Sequence, residues 1–141
     1  MITKKVNRYY CEYCKKANCS ASSISRHEKA CTLNPNRICR MCGIFDLEQT
    51  KMADLLTILP KPVTTKDEYG FITLINIKEI EAAMPKLKEI TGNCPACILA
   101  TLRQMKIPVR AIKSFNFTDG CKSWWADFNE NTTQQNDYHY Y

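Results

Sequence analysis

Past Cys42 the apolar residues of this 141-residue chain fall at helical spacing. Met52, Leu55, Leu56 and Leu59 recur at i, i+3, i+4 and i+7, which predicts a helix capped by Asp46 and ended by Pro60 and Pro62. Residues 63–70 are polar and read as turn or loop, and the apolar run from Phe71 to Ile75 reads as one short strand. Ile77, Ile80, Met84, Leu87 and Ile90 share a helical face that Pro85 is expected to break or kink. A further helix opens at Cys94 or Pro95, turns Ile98, Leu102 and Met105 inward and stops before Pro108. Phe115 and Phe117 flank Asn116 in an extended segment. Asp119 then caps a last helix whose apolar stripe is Cys121, Trp124, Trp125 and Phe128. Adjacent tryptophans cannot both face inward on a helix, so one of the two belongs at the rim. Residues 131–141 are polar and read as a flexible tail.

The first third of the chain has no such pattern. Roughly thirty polar residues cannot bury enough apolar surface to fold alone. Cys11, Cys14, His27 and Cys31, however, stand in the order C-x2-C-x12-H-x3-C, which brings three sulfurs and one nitrogen onto one tetrahedral zinc ion. Such a site supplies on the order of 10 kcal/mol of folding free energy. The local pattern agrees with the spacing. Residues 21–33 read as a helix with Ser20 or Ser22 as N-cap, and His27 and Cys31 at i and i+4 then face the metal together. Tyr9 and Ile24 are the apolar side chains expected to close a miniature core.

Over residues 9–31, about a sixth of the chain, these ligands resemble the two-cysteine, two-histidine zinc-finger family, in its variant with cysteine as the fourth ligand. The resemblance implies a small ββα zinc finger and places the base-reading positions of its helix on Ser20, Ser23 and Arg26. The family's large aromatic residue four positions after the second cysteine is replaced by Asn18, so Cys19 is expected to turn inward as a small apolar substitute.

Two further knuckles, Cys39-Arg40-Met41-Cys42 and Cys94-Pro95-Ala96-Cys97, are separated by 51 residues. Together they satisfy a four-cysteine zinc site that clamps a helical segment at both ends. The spacing leaves open a second pairing, in which Cys11 and Cys14 join Cys39 and Cys42 across 24 residues while His27 and Cys31 join Cys94 and Cys97. A redox use is open too, because Cys94-Pro95-Ala96-Cys97 resembles the dithiol of glutaredoxin-like oxidoreductases, where a helix N-terminus lowers the first thiol's pKa. In those enzymes the motif follows a buried strand, whereas Lys86 to Asn93 looks like the polar end of a helix. A pair of ordinary buried thiols is the remaining reading.

Two zinc ions take seven of the nine cysteines and one of the two histidines, leaving Cys19, Cys121 and His139. The odd cysteine count, the paired spacings and the lack of an apolar leader argue for a reducing compartment, intracellular and cytoplasmic, or nuclear in a eukaryote. No run of eighteen apolar residues predicts a membrane partner. The fold class is mainly α with a small ββα zinc finger: a basic finger over 1–37, a zinc-stabilised helical domain over 38–130, and the tail.

Charge separates these parts. Residues 1–42 carry nine Lys or Arg against Glu12 and Glu28, a formal +7, while the rest of the chain is −1. Thiolates on two zinc ions lower the whole protein from +6 to about +3 and leave the front end clearly positive. Nucleic acid, DNA in the first place, is the expected partner, contacted by Lys15, Lys16, Ser20, Ser23, Arg26, Lys29, Arg37 and Arg40. One finger spans about three base pairs, so specificity is expected to be low. A zinc-scaffolded protein-interaction or assembly module is the alternative, with a protein partner. In general style a basic knuckle before a small helical domain is similar to short zinc proteins of tailed bacteriophages. Catalysis and a small-molecule substrate are not expected: a zinc deaminase requires a His-x-Glu before its Pro-Cys-x-x-Cys, and Pro95-Ala96-Cys97 has no such partner, so the dithiol at Cys94 and Cys97 is the one enzymatic reading left.

Overall fold

The two tyrosines before Cys11 form strand β1 (Tyr9–Tyr10), which pairs antiparallel with β2 (Ala17–Asn18) in the register Tyr9 to Asn18 and Tyr10 to Ala17. This computed structural model describes residues 1–137, with side chains as far as Glu130. The turn between the strands closes on its own backbone, Lys15 N–H donating to the Cys11 carbonyl at 3.0 Å and Cys11 N–H to that of Lys16 at 2.8 Å. Lys15 takes a left-handed backbone (φ 64°) to make it. Helix α1 (Ala21–Ala30) starts where the Ser20 hydroxyl accepts from Ser23 N–H at 3.3 Å. It ends three residues short of the expected Leu33, because Cys31 turns extended and Asn34 donates its side-chain amide to the Glu28 carbonyl at 2.7 Å.

The segment beyond contains α2 (Arg40–Ile44), which the apolar pattern did not foretell, and α3 (Met52–Leu55), a single turn. Asp46 does not cap α3. It has a left-handed backbone (φ 52°) and follows α2 as a terminator, with Asp46 N–H on the Gly43 carbonyl, and Lys51 is the residue before α3. The polar stretch read as loop holds a strand, β3 (Thr64–Lys66), paired antiparallel with β4 (Ile72–Leu74). Asp67 closes their turn, its carboxylate accepting from Tyr69 and Phe71 N–H, with Gly70 at φ 82°.

Helix α4 (Ile77–Ile90) runs through Pro85 unbroken. Pro85 lies on the exposed side, and Ile80, Met84 and Leu87, each fully buried, hold the helix on the core against the loss of one backbone bond. Ile90 stays exposed, outside the face assigned to it. Helix α5 (Pro95–Gln104) and a 3₁₀ turn (Val109–Ala111) lead to α6 (Phe117–Asp137). The start of α6 corrects two expectations: Phe117 is already helical, and the side chain of Asn116, not Asp119, accepts the bond from Asp119 N–H at 3.2 Å. Of the tryptophans, Trp124 is buried against Phe45 (ring centroids 4.9 Å, edge-to-face) and Trp125 is 45% exposed. Helical backbone continues to Asp137, into the stretch read as a flexible tail; residues 138–141 lie outside the described residues.

One apolar cluster joins Leu55, Leu59, Leu74, α4, α5 and Trp124. Cys39, Cys42, Cys94 and Cys97 are members of it. The front segment has only Ile24 beside Cys11 and Cys31, and Tyr9 and Cys19 are exposed rather than turned inward. Among the described residues no helix is long and apolar enough to cross a membrane.

Candidate metal centres

The eight ligand residues gather as two separate tetrads. Cys11, Cys14, His27 and Cys31 form one, Cys39, Cys42, Cys94 and Cys97 the other, and within each every ligand atom lies within 4.8 Å of the rest. The crossed pairing that the spacing allowed is absent among the described residues.

In the first tetrad the β1–β2 turn presents Cys11 and Cys14, while α1 brings His27 and, at its end, Cys31. His27 Nε2 stands 3.1 Å from Cys14 Sγ. Burial, then the positive charge of Lys16, holds the His27 pKa below its ordinary value, which favours the neutral ring that a metal takes. In the second tetrad each cysteine pair sits at a helix start. Cys39 precedes α2 and accepts from Cys42 N–H at 3.4 Å, and Cys94 precedes Pro95 of α5. The chain enters Cys94 through two left-handed residues, Gly92 and Asn93 (φ 62° each). The sulfurs of Cys39 and Cys94 are 3.5 Å apart, those of Cys42 and Cys97 3.6 Å.

These separations are far beyond a disulfide bond, and all nine cysteines are free thiols. A tetrahedral ion with bonds of about 2.3 Å sets its sulfurs about 3.8 Å apart, so both tetrads match the size of one bound ion. The proton affinities point the same way. Contacts with Cys42, Cys94 and Cys97 hold the Cys39 thiol well below its ordinary range. Cys94 is pushed up by Cys39 but lowered more by Cys42 and Cys97. Cys42 and Cys97 are driven up, each chiefly by sharing a proton with Cys39. In the first tetrad burial raises Cys31 to about 11, while Cys11, raised by burial, is brought lower by hydrogen bonds from the Cys14 and Tyr13 backbone. Packed thiols, three in the first tetrad and four in the second, cannot all ionise beside one another, and a divalent cation replaces the protons that some of them must otherwise keep. Each tetrad can therefore hold a metal ion.

No family model, curated protein or solved structure matches the chain.

Several residues around the tetrads carried no sequence signal. Arg37, expected to contact nucleic acid, is 6% exposed and points a guanidinium nitrogen at Cys97 Sγ, 3.8 Å away. It is withdrawn from the surface because its charge offsets the thiolates of the second tetrad. Gln49 accepts from Cys39 N–H and donates to the Arg37 carbonyl at 2.8 Å, tying Arg37 to the metal ligands. The other expected contact residues stay near the surface, three of them partly engaged: Lys15 donates its ammonium to the Glu12 carbonyl at 3.0 Å. Ser20 is spent on the helix cap, and Arg40 donates to the Arg26 carbonyl at 2.7 Å.

Proposed function

We propose that the chain is a zinc-binding accessory protein that contacts nucleic acid through a basic N-terminal finger, with low sequence specificity. Zinc is favoured at both tetrads because sets of three sulfurs with one nitrogen, or of four sulfurs, with no open position suit a structural zinc ion. The β1–β2–α1 order with its ligands supports a finger of the ββα kind. The observation that carries the nucleic-acid reading is the charge of the front end. With Arg37 buried, Lys4, Lys5, Arg8, Lys15, Lys16, Arg26, Lys29 and Arg40 are still exposed on a small segment that has only Glu12 and Glu28 against them. A patch of this density attracts phosphate backbones and releases their counterions.

Catalysis has no part in this reading. Cys94 and Cys97 are buried with Cys39 and Cys42, which is the reverse of an accessible redox dithiol. A protein-interaction role is the second reading, favoured by one observation: Val63, Tyr69, Phe71, Ile72 and Ile75 are all exposed around the β3–β4 hairpin. Binding of the metal-loaded chain to labelled nucleic acid across a salt series tests the first reading. The logarithm of affinity is expected to fall with log salt at a slope of about −3, for some three or four phosphates. Absence of binding at low salt ends it.

A further inference from the structure

A duplex reader needs side chains that can grip base edges from a helix laid in the major groove. The exposed face of α1 is poor in them. Ser22, Ser23 and Ser25 are short and uninformative, Ser20 is committed to the cap, and Arg26 and Lys29 are the only long donors. The hairpin before it is richer in a different currency of recognition. Tyr9, Tyr10 and Tyr13 are 38%, 58% and 39% exposed, three rings within five residues of a segment whose apolar core is little more than Ile24. Cations interleave with them: Lys4, Lys5 and Arg8 lead into β1, and Lys15 and Lys16 follow the turn.

The geometry keeps two of these rings available. The Arg8 guanidinium lies 5.9 Å from the Tyr10 ring centre, a cation already set beside a ring that is still 58% exposed. The residue paired with Tyr10 across the hairpin is Ala17, whose methyl group is too small to cover the ring. Tyr13 sits between the ligands Cys11 and Cys14, so a bound metal fixes its backbone on both sides and little freedom is lost when a base lands on it.

Resting on the nucleic-acid reading above, we propose that the partner is a single strand, with Tyr10 and Tyr13 stacking on its unpaired bases while Arg8, Lys15 and Lys16 track its phosphates. Exposed aromatic rings set among cations are how sequence-tolerant single-strand binding is achieved, since every base has a face to stack and a duplex hides it. Glu12 is the one acid inside this run, and Lys15 leans over it, its ammonium donating to the Glu12 carbonyl at 3.0 Å.

Fluorescence anisotropy of the full metal-loaded chain tests the proposal, with labelled oligo-dT and oligo-rU of about 12 nucleotides and a duplex of equal length. Both strands, or the RNA strand alone, are expected to bind about tenfold or more tighter than the duplex. Equal binding of the two strands assigns bases and phosphates as the features read, and preference for oligo-rU assigns RNA through its 2′-hydroxyls. Tyr10→Ala and Tyr13→Ala are each expected to weaken strand binding about tenfold, and the Phe replacements to restore it. Metal content is measured in every variant. If Tyr13→Ala sheds the first ion, Tyr10→Ala, outside the ligand turn, decides. A duplex bound as tightly as the strands, or Tyr10→Ala without effect, overturns the single-strand proposal and leaves the nucleic-acid reading standing. Binding to none of the three probes overturns both.

Discussion

Cys97→Ser and Cys14→Ser each remove one metal ligand, yet they are expected to differ sharply, because the tetrads sit in different surroundings. Cys97 is 2% exposed within the main apolar cluster, whereas Cys14 is half-buried at the edge of a segment with almost no core. A structural zinc contributes apparent folding free energy of about 10–16 kcal/mol, comparable to the whole stability of a small domain at about 5–15 kcal/mol. Losing the second ion therefore opens the cluster that holds α4, α5 and α6. Losing the first unfolds α1, which is about a sixth of the residues in α-helices. Circular dichroism at 222 nm should fall by about that fraction in Cys14→Ser and by most of its amplitude in Cys97→Ser. Tryptophan emission gives a second readout, since both indoles lie on α6: it should shift to the red in Cys97→Ser and stay put in Cys14→Ser. Metal content should drop from two ions to one in each. Equal spectral losses in the two variants would refute the reasoning, as would chelation that leaves the wild-type spectrum unchanged.

Arg37→Met should lower metal affinity at the second tetrad by about 10- to 100-fold in chelator competition, because the charge beside Cys97 is lost. It should leave nucleic-acid affinity of the fully loaded protein unchanged, where Lys16→Ala reduces it; equal losses would put Arg37 back on the surface. Burial raises the Glu81 pKa, but hydrogen bonds from the Ser114 side chain and from Lys113 and Ser114 N–H lower it more, to a net value below the ordinary one. The sign follows: the unfolded chain binds the proton first, so the stabilisation is complete above about pH 4.3 and disappears as pH falls through the lower folded value. Glu81→Ala should cost about 1 kcal/mol in thermal melts at pH 7, and its gap from wild type should stay constant down to about pH 5. Gly92→Ala places a methyl group in open space at φ 62°, so it should cost about 1 kcal/mol of backbone strain with both ions retained. A larger cost would mean that Gly92 does more than turn the chain into Cys94.

The parts legible in the sequence were those fixed by short-range geometry. Ligand spacing marks the four half-sites, and i, i+3, i+4 recurrence finds α4, α5 and the Trp124 face of α6, because each depends on residues close in sequence. The joining of Cys39 and Cys42 to Cys94 and Cys97 across 51 residues, by contrast, was one of two pairings left open. The misses have several causes. The strand β3 is Thr-Thr-Lys with both faces exposed, so no alternation announces it, and its pairing with β4 is decided by the Asp67 turn. Pro85 was expected from local rules to break or kink the helix, but the burial of Ile80, Met84 and Leu87 outweighs one missing bond. Tyr9 and Cys19 were assigned to a finger core by analogy of position, and a segment already held by a metal does not need them there. Arg37 looked like any other surface cation in a basic stretch. Its partner is sixty residues away in sequence, beyond the reach of any local pattern.

That last pairing changes how the two halves are joined. Residues 32–38 lie between the last ligand of the first tetrad and the first of the second, across the boundary drawn between the finger and the helical domain. They are held along their length. Gln104 at the end of α5 donates to the Thr32 and Asn34 carbonyls at 2.9 and 3.0 Å, Arg103 donates to the Thr32 hydroxyl at 2.6 Å, and Ile38 N–H reaches the Lys29 carbonyl at 2.8 Å. Helix α5 thus supplies metal ligands near its first turn and anchors the connection to the other tetrad at its last. Trypsin measures the consequence, since cleavage after Arg37 requires a locally opened chain. In the metal-loaded protein the Arg37–Ile38 bond should be cut far more slowly than the bonds after Lys4 and Lys5, which are exposed and lie outside any helix or strand. The double variant Arg103→Ala with Gln104→Ala should keep two ions and its helical signal while that bond becomes rapidly cleaved. If wild type is already cut there as fast as at Lys4, the connection is loose, and the basic face is tethered to the helical domain and not held against it.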